Sequence, residues 1–167
     1  MEGAAEPAGH VEPVGPTEPA GDAEPASVAS LVSDALAQQV GDALMRLYDP
    51  TNGGFGGAPK FPTPPSPNFL FETRAGHAAI DAALRRTLDR MAVGGIFDQV
   101  GGGFHRYSVD ATWTVPHFEK MLYDNGQLAS LYARAAERWG DAFYAEIARR
   151  TCAYVVREMT GEEGRFL

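Results

Sequence analysis

One stretch of the sequence restricts the possible folds more than any other. Residues 94–128 read GGIFDQVGGGFHRYSVDATWTVPHFEKMLYDNGQL and combine glycines, aromatic residues, two histidines and several carboxylates. Neither helix nor strand periodicity requires that mixture. Loops longer than about 12 residues inside a compact domain are usually functional or disordered, and the aromatic content here argues against disorder. We therefore predict that this stretch forms the wall of a binding or catalytic site.

Elsewhere, apolar residues recur at the three- and four-residue spacing of amphipathic helices, and no segment shows sustained alternation with strand-type flanks. The chain is therefore predicted to be all-α, with helical hairpins joined by short turns and by two long loops rich in glycine and proline. The helices are predicted over residues 28–47 with Ser27 as N-cap, over residues 80–91 closed by Gly94 in the left-handed conformation, over residues 116–139 with Thr114 as N-cap, and over residues 143–159 with Asp141 as N-cap.

The first of the two loops follows Asp49-Pro50 and contains the run TNGGFGGAPKFPTPPSPNF, residues 51–69. Its four glycines and five prolines exclude regular structure, and residues 68–73 are predicted to form only a short apolar turn. The P-loop spacing G-x-x-x-x-G-K-[ST] is absent. Lys60 has two interpretations, a cation that points into a cleft or a solvated loop lysine.

The N-terminal 26 residues differ from the rest in composition. They are dominated by Glu, Pro, Ala and Gly, contain no lysine or arginine, and repeat a Glu-Pro pair every six residues from Glu6-Pro7 to Glu24-Pro25. Such a tract cannot bury enough apolar surface to offset its ordering entropy. Residues 1–26 are therefore predicted to be a disordered tail, and residues 27–167 to form the folded part.

Charge and cysteine content narrow the classes of partner and site. The net charge of −8 repels phosphate backbones and anionic membranes, so we expect neither nucleic acid nor a membrane as a partner. The single cysteine, Cys152, excludes a disulfide or a thiolate zinc cluster within one chain, and we expect it to be buried on a helix. No cofactor is predicted. Without a long apolar run or a signal segment, the prediction is a cytoplasmic protein.

The central stretch supplies most of the candidate site residues. Paired aspartates suit glycoside chemistry, and carboxylates beside aromatic faces such as Tyr107 and Trp113 suit sugar binding. The acid–base candidates are Asp98, His105, Asp110, His117 and Asp124, and the substrate-binding candidates are Lys60, Arg106, Tyr107, Trp113 and Lys120.

His117 is a candidate for a base or a hydrogen-bond acceptor near pH 7. It is predicted to lie in the first turn of a helix, where backbone N–H dipoles disfavour the protonated imidazole. His117, Lys120 and Asp124 would then lie along one edge of that helix. A histidine that only caps or packs is an equally good interpretation.

Three glycines at residues 101–103 precede His105 and Arg106 and would let a ligand approach the backbone closely. The alternative is a tight loop in which Arg106 pairs with a carboxylate. A metal site built from His105, His117 and Glu119 is a weaker interpretation, because the motif H-E-x-x-H is absent. We therefore predict no metal.

Two runs, GGFGGAPKFP at residues 53–62 and the central stretch at 94–128, resemble a family of thioredoxin-domain-containing proteins of the bacterial YyaL type, related to a spermatogenesis-associated protein of animals. The resemblance covers residues 28–167. It implies a double-layered helical toroid, (α/α)6, similar to six-hairpin glycosidases and N-acylglucosamine 2-epimerases, preceded by a thioredoxin-like domain.

Compared with that family, only the Glu-Pro tract precedes Ser27, and the chain stops where the family continues into further hairpins. We therefore expect a part of the toroid, roughly its first third, with the remainder of the same protein as its partner. The expected function is carbohydrate-active chemistry of the glycosidase or sugar 2-epimerase type on a sugar-like small molecule. The alternatives are a non-catalytic scaffold or ligand-binding module, and a truncated chain without autonomous activity.

Overall fold

A computed structural model describes residues 34–74 and 76–166. All of them belong to one unit, Val32–Leu167. The predicted disordered tail at residues 1–26, the predicted N-cap Ser27 and the first turns of the predicted first helix lie outside the described residues.

Five α-helices make up most of the regular structure in this part of the chain. They are α1 (Asp34–Leu47), α2 (Pro65–Thr73), α3 (Ala78–Val93), α4 (Leu122–Trp139) and α5 (Ala142–Glu158), and a 3-10 turn follows at Glu162–Gly164. Between residues 34 and 166, β-structure is limited to isolated single-residue bridges. The all-α prediction is confirmed for these residues, whereas the arrangement into a toroid stays a prediction.

Local sequence signals set the connection between α4 and α5. Gly140 ends α4 in the left-handed conformation with φ of 64°. The Asp141 carboxylate then caps α5 by accepting a hydrogen bond from the backbone N–H of Phe143 at 2.9 Å. The two helices pack against each other as a hairpin, as the sequence predicts.

The prediction that Gly94 closes α3 in the left-handed conformation is wrong, because its φ of −77° and ψ of 169° are extended. A different constraint requires glycine there. A Cβ atom at this position would lie 2.6 Å from the carbonyl oxygen of Trp113. Gly94 therefore allows two backbone segments of the central loop, residues 94–121, to approach closely.

The start of α4 is the largest departure from the sequence prediction, since the helix predicted from residue 116 begins only at Leu122. The intervening backbone pairs with an earlier part of the central loop. The N–H of His117 donates to the carbonyl of Tyr107 at 2.9 Å. The N–H of Arg106 donates to the carbonyl of Glu119 at 2.6 Å. These hydrogen bonds hold residues 116–120 against the earlier part of the loop and outside the helix.

The short turn predicted at residues 68–73 is also wrong, because these residues belong to α2. That helix begins with Pro65 and contains Pro67. Proline is tolerated in the first turn of a helix because the N–H groups there have no intrahelical partner. Proline-rich sequence therefore marks the start of this helix and does not exclude it.

Aromatic residues of the loops contribute directly to the core. Phe104 stacks on Tyr132 of α4 with 5.3 Å between ring centroids, and Phe97 lies 4.9 Å from Phe104. The Tyr132 hydroxyl donates to the carbonyl of Leu88 in α3 at 2.7 Å. The central loop is thereby fixed against α3 and α4, which holds its polar residues in defined positions.

Candidate functional site

An open cavity of about 320 Å³ lies between the proline-rich first loop and the N-terminal end of α4. Its lining is mostly apolar, with a few polar groups, which is typical of small-molecule sites. We call it the Asp124 cavity, and its lining residues are Phe61, Pro62, Thr63, Pro64, Pro65, Arg106, Tyr123, Asp124 and Gln127.

Asp124 lies in the first turn of α4 and is only 8% exposed. Burial raises the pKa of its carboxyl group above the ordinary value, while the nearby Arg106 guanidinium opposes the shift. A carboxyl group with a raised pKa in a cleft is a candidate proton donor or acceptor, because both protonation states become accessible closer to neutral pH.

Arg106 brings a positive charge to the same cavity. Its Nη1 donates to the Glu119 carboxylate at 2.9 Å, and this hydrogen bond raises the pKa of the guanidinium. The interpretation that Arg106 pairs with a carboxylate is therefore confirmed. Because a guanidinium has five N–H donors, this contact leaves others available to a ligand.

A short stack of rings continues outward from the cavity. Phe61 lies 4.8 Å from Tyr107, and Tyr107 stacks on His117 at 4.6 Å with an interplanar angle of 17°. The His117 side chain is 47% exposed, and its Nδ1 lies 3.9 Å from the Glu119 carboxylate. Since His117 precedes α4, the prediction that it lies in a first helical turn is wrong, and it does not share a helix edge with Asp124.

His105 lies inside the central loop, apart from the residues that line the Asp124 cavity. Its ring is buried and nearly perpendicular to the Phe118 ring, with 5.4 Å between the ring centroids, and its Nδ1 has no hydrogen-bond partner in the described structure. Burial lowers the pKa of His105, and the Lys120 ammonium lowers it further. The imidazole is therefore kept neutral.

Asp98 and Lys120 form an ion pair of 2.8 Å that connects the beginning of the central loop to its end. Lys120 also donates to the carbonyl of Gly102 at 2.7 Å, and its ammonium lies 4.1 Å from the centre of the Tyr154 ring. Burial acts against ionisation of Asp98, but the hydrogen bonds from Lys120 and the backbone hold its pKa well below the usual range. Both side chains thus have structural contacts.

Asp110 organises a neighbouring turn. Its carboxylate accepts hydrogen bonds from the backbone N–H groups of Thr112, Thr114 and Val115. These bonds, with one from the Thr112 hydroxyl, outweigh the opposing effect of burial and hold the pKa of Asp110 well below its usual range. An ionised carboxylate with this many donors is suited to shape a loop.

Lys60 and Trp113 are both fully buried. The Lys60 ammonium pairs with Asp49 at 2.6 Å and lies 5.2 Å from the centre of the Trp113 ring. The indole N–H donates to the carbonyl of Asn52 at 3.0 Å. Lys60 is therefore neither solvated nor directed into the Asp124 cavity, and the faces of Trp113 are covered by protein.

The structure thus brings Arg106 and Asp124 together in one cavity, with Tyr107 and His117 beside it. The other candidates lie apart from the cavity and have structural contacts, and any role for them in catalysis or binding stays a prediction; they are Lys60, Asp98, His105, Asp110, Trp113 and Lys120.

Sequence reasoning missed seven of the nine residues that line the cavity: residues 61–65 of the first loop, and Tyr123 and Gln127 of α4. Tyr123 and Gln127 are four residues apart, so they share one face of α4 with the neighbouring Asp124. The predicted helix over residues 116–139 already contained this spacing, but the sequence did not show that this face of the helix meets the first loop. Phe61 comes from the first loop, and no local pattern connects it to α4.

The described residues were compared with what a metal site and a membrane-spanning helix require. They contain no group of three or more His, Cys, Asp or Glu side chains placed to hold a metal ion. None of their helices has the length and apolar content needed to cross a bilayer.

The sequence of this chain is similar to parts of several animal proteins. No protein-family model matches the chain. Spermatogenesis-associated protein 20 of Homo sapiens is 46% identical over 145 residues, which cover 83% of this chain. The chain is homologous to part of that protein. The mouse protein of the same name is 50% identical over 126 residues, 71% of this chain. An uncharacterized protein of Caenorhabditis elegans is 48% identical over 92 residues, 52% of this chain and 13% of its own length.

The matched region is a small part of each relative, 18% of the human protein and 16% of the mouse protein. The resemblance to the spermatogenesis-associated type is therefore supported over most of the chain. The thioredoxin-like domain and the glycosidase-like toroid stay predictions.

Proposed function

We propose that this chain forms one wall of a carbohydrate-active site and that the Asp124 cavity binds a sugar-like small molecule. One observation carries the proposal: a nearly buried carboxyl group with a raised pKa shares a cavity with a guanidinium and two aromatic rings. Apolar rings suit the apolar faces of a sugar, and a small number of polar groups suit its hydroxyls.

Each part of the cavity has a distinct task in this proposal. Phe61 and Tyr123 contact the ring of the sugar, and Arg106 donates hydrogen bonds through the N–H groups that Glu119 leaves unused. Asp124 is the acid–base group. In its protonated form it donates a proton to a departing or carbonyl oxygen, and the resulting carboxylate later takes a proton back.

Asp124 is the sole carboxylate among the described residues that line the cavity. Glycoside hydrolysis needs two carboxyl groups on opposite sides of the scissile bond, and epimerisation needs a second proton-transfer group on the other face of the sugar. We infer that the second group comes from another part of a longer polypeptide. The relatives are such longer polypeptides. This chain alone would then bind a sugar without turning it over.

The test is binding of glucose, mannose and N-acetylglucosamine to the chain, followed by ligand-observed NMR. We expect weak saturable binding of at least one of them, reduced about fivefold or more in Asp124→Asn, since a charge-assisted hydrogen bond contributes more than 1 kcal/mol. The control is Asp42→Asn, a change at an exposed carboxylate of α1. Absence of binding by all three sugars, or equal binding by the two variants, would refute the proposal.

A second candidate function, a scaffold that binds a further helix, is favoured by an apolar groove between α4 and α5. The groove has a volume of about 360 Å³. Cys152 is exposed within it, so the prediction of a buried cysteine is wrong although its helical position is correct. We call this surface the helix-pair groove, and it is lined by Gly126, Ala129, Ser130, Ala133, Cys152, Val155, Val156 and Phe166.

We propose that its occupant is an amphipathic helix from the remainder of a longer polypeptide of the kind that the relatives represent. The small residues Gly126, Ala129 and Ala133 recur every three or four positions on α4, which lets another helix approach closely. An apolar patch of this kind also attracts hydrophobic dyes.

Binding of the dye ANS to the chain tests this second function. Val156, which is 68% exposed in the groove, is replaced by glutamate, and the control is the same change at Val93, 65% exposed on α3 and outside the groove. We expect Val156→Glu to lower dye fluorescence and Val93→Glu to leave it nearly unchanged. Equal fluorescence in the two variants would exclude the groove as an accessible apolar surface.

A further inference from the structure

We propose that a positively charged patch on the outer face of α3 binds a small ligand that carries a phosphate group. The patch consists of Arg85, Arg86 and Arg90, which line an open depression of about 390 Å³ together with Ala82 and Asp89. None of these residues lines the Asp124 cavity. The proposal therefore does not depend on the proposed sugar site.

Half of the arginines in the described residues form no ion pair, and three of these lie together in the patch. Arg106, Arg134, Arg138, Arg149, Arg157 and Arg165 each form an ion pair with a carboxylate. Within the part of the chain that the structure describes, Arg86 and Arg90 form none, and Arg85 contacts an aromatic ring instead. With three arginines and one carboxylate, Asp89, the patch has an excess of positive charge, although the whole chain carries a net charge of −8.

The patch places like charges close together on one helix. Arg86 and Arg90 are four residues apart on one helix, where like charges destabilise the helix slightly. Both are exposed on the side of α3 that faces away from the core. Packing does not explain why these arginines lie together. A bound anion would explain it, because it offsets the repulsion between them.

Two contacts prepare the patch for an anion. The Arg85 guanidinium lies 4.2 Å from the centre of the Trp139 ring, which restricts its orientation. Asp89, which lines the same depression, accepts a hydrogen bond from the Tyr144 hydroxyl at 2.7 Å and takes part in none of the ion pairs between the described residues. The guanidinium groups are thus free to face a ligand.

The chemistry and size of the patch favour a single phosphate group. Guanidinium forks match phosphate oxygens through paired hydrogen bonds, and a phosphate monoester carries nearly two negative charges at neutral pH. The patch extends over one and a half turns of α3, about 8 Å along the helix. A nucleic acid or a long acidic peptide would extend beyond it and meet the negative field of the rest of the molecule.

Calorimetric titration of the chain at low ionic strength tests the proposal with inorganic phosphate, glucose 6-phosphate and glucose. We expect saturable binding of both phosphates through the patch. The double variant Arg86→Ala/Arg90→Ala should weaken it by about tenfold or more. The control is Arg149→Ala/Arg165→Ala, which removes the same charge from exposed ion pairs on other surfaces. Glucose lacks the phosphate group, so its affinity should be the same for Arg86→Ala/Arg90→Ala and for Arg149→Ala/Arg165→Ala.

A third variant, Arg86→Lys/Arg90→Lys, keeps the charge and removes the planar forks, so we expect intermediate affinity. Circular dichroism should show all three variants folded, because the substituted side chains are exposed. The proposal is overturned if phosphate does not bind, or if the two alanine variants lose affinity equally. It is also overturned if poly-glutamate binds the patch more tightly than phosphate, which would indicate an acidic protein partner.

Discussion

Lys60 illustrates how charged side chains in this protein serve its fold. Its ammonium is fully buried, pairs with Asp49 at 2.6 Å and lies near the Trp113 ring. Burial disfavours ionised Asp49, but hydrogen bonds from Lys60 and from the backbone N–H groups of Asn52 and Thr51 outweigh it. They hold the pKa of Asp49 well below its usual range, so the pair stabilises the folded state at neutral pH.

Replacing Lys60 by methionine leaves the Asp49 carboxylate without its cation. We expect the free energy of unfolding to fall by about 3 kcal/mol in urea denaturation at neutral pH. A folded-state pKa below the unfolded one contributes stability that is lost as pH falls, so the difference from the wild type should shrink in acid. Lys120→Met, which breaks a less buried ion pair with Asp98, is the comparison. If Lys120→Met lowered the free energy of unfolding more than Lys60→Met, the Lys60–Asp49 pair would not be the more stabilising of the two.

Asp124 should show the opposite pH dependence. Because burial raises its pKa in the folded state, its contribution to stability is present below the unfolded pKa and is lost as pH rises through the folded pKa. Asp124→Asn is therefore expected to be more stable than the wild type near neutral pH, by about 1 kcal/mol. Below about pH 4 the difference should disappear. Urea denaturation over a range of pH measures it, and a difference independent of pH would mean that Asp124 is not strained by burial.

The sequence could identify Asp124 and Arg106 as candidates but could not separate them from Lys60 and Trp113. Lys60, Arg106 and Trp113 are polar or aromatic residues of glycine-rich loops, and Asp124 follows the second of these loops closely. Lys60 and Trp113 become buried because they contact each other and Asp49 across distant parts of the chain. No periodicity connects such positions, so their burial could be learned only from the structure.

Asn125 connects α4 to the central loop. Its side-chain oxygen accepts from the backbone N–H of Phe104 at 2.7 Å, and its amide donates to the carbonyls of Phe104 and Met121 at 3.1 and 2.9 Å. The side chain is fully buried. These contacts fix the backbone just before His105 and Arg106, and so position the guanidinium of the Asp124 cavity.

Asn125→Ala would leave two buried backbone groups of Phe104 without partners, and we expect a loss of about 3 kcal/mol. Hydrogen exchange should accelerate at the amides of residues 104–107. The matched control is Gln127→Ala on the same helix, where the side chain bonds only to the exposed carbonyl of Tyr123. If exchange in the loop were the same in both variants, Asn125 would not be what holds the loop on α4.

Helix periodicity predicted α3, α4 and α5 because each has one continuous apolar face. The start of α4 was mispredicted because Thr114 and Pro116 match the N-cap and first-turn signals of a helix. In the structure the N–H of Val109 donates to the carbonyl of Val115 at 2.8 Å, and this pairing continues to residue 119. Contacts between two loop segments override the local signal, which also moves His117 away from the helix.

The molecule presents three surfaces with different chemistry: the Asp124 cavity, the helix-pair groove and the arginine patch. Their lining residues do not overlap. Each can therefore be altered by substitution without touching the other two. The matched region is less than a fifth of the human and mouse relatives, and our two proposals for function place contacts with further polypeptide at the Asp124 cavity and at the helix-pair groove.

The most direct test is to map the ligand on the whole chain by amide NMR while adding the sugar that binds best. We predict that the largest chemical-shift changes cluster at Arg106, Tyr123, Asp124 and Gln127, with changes at the first loop where Phe61 lies. Shifts that instead centre on other surfaces, or an unchanged spectrum at saturating sugar, would contradict the assignment of the Asp124 cavity as a sugar site.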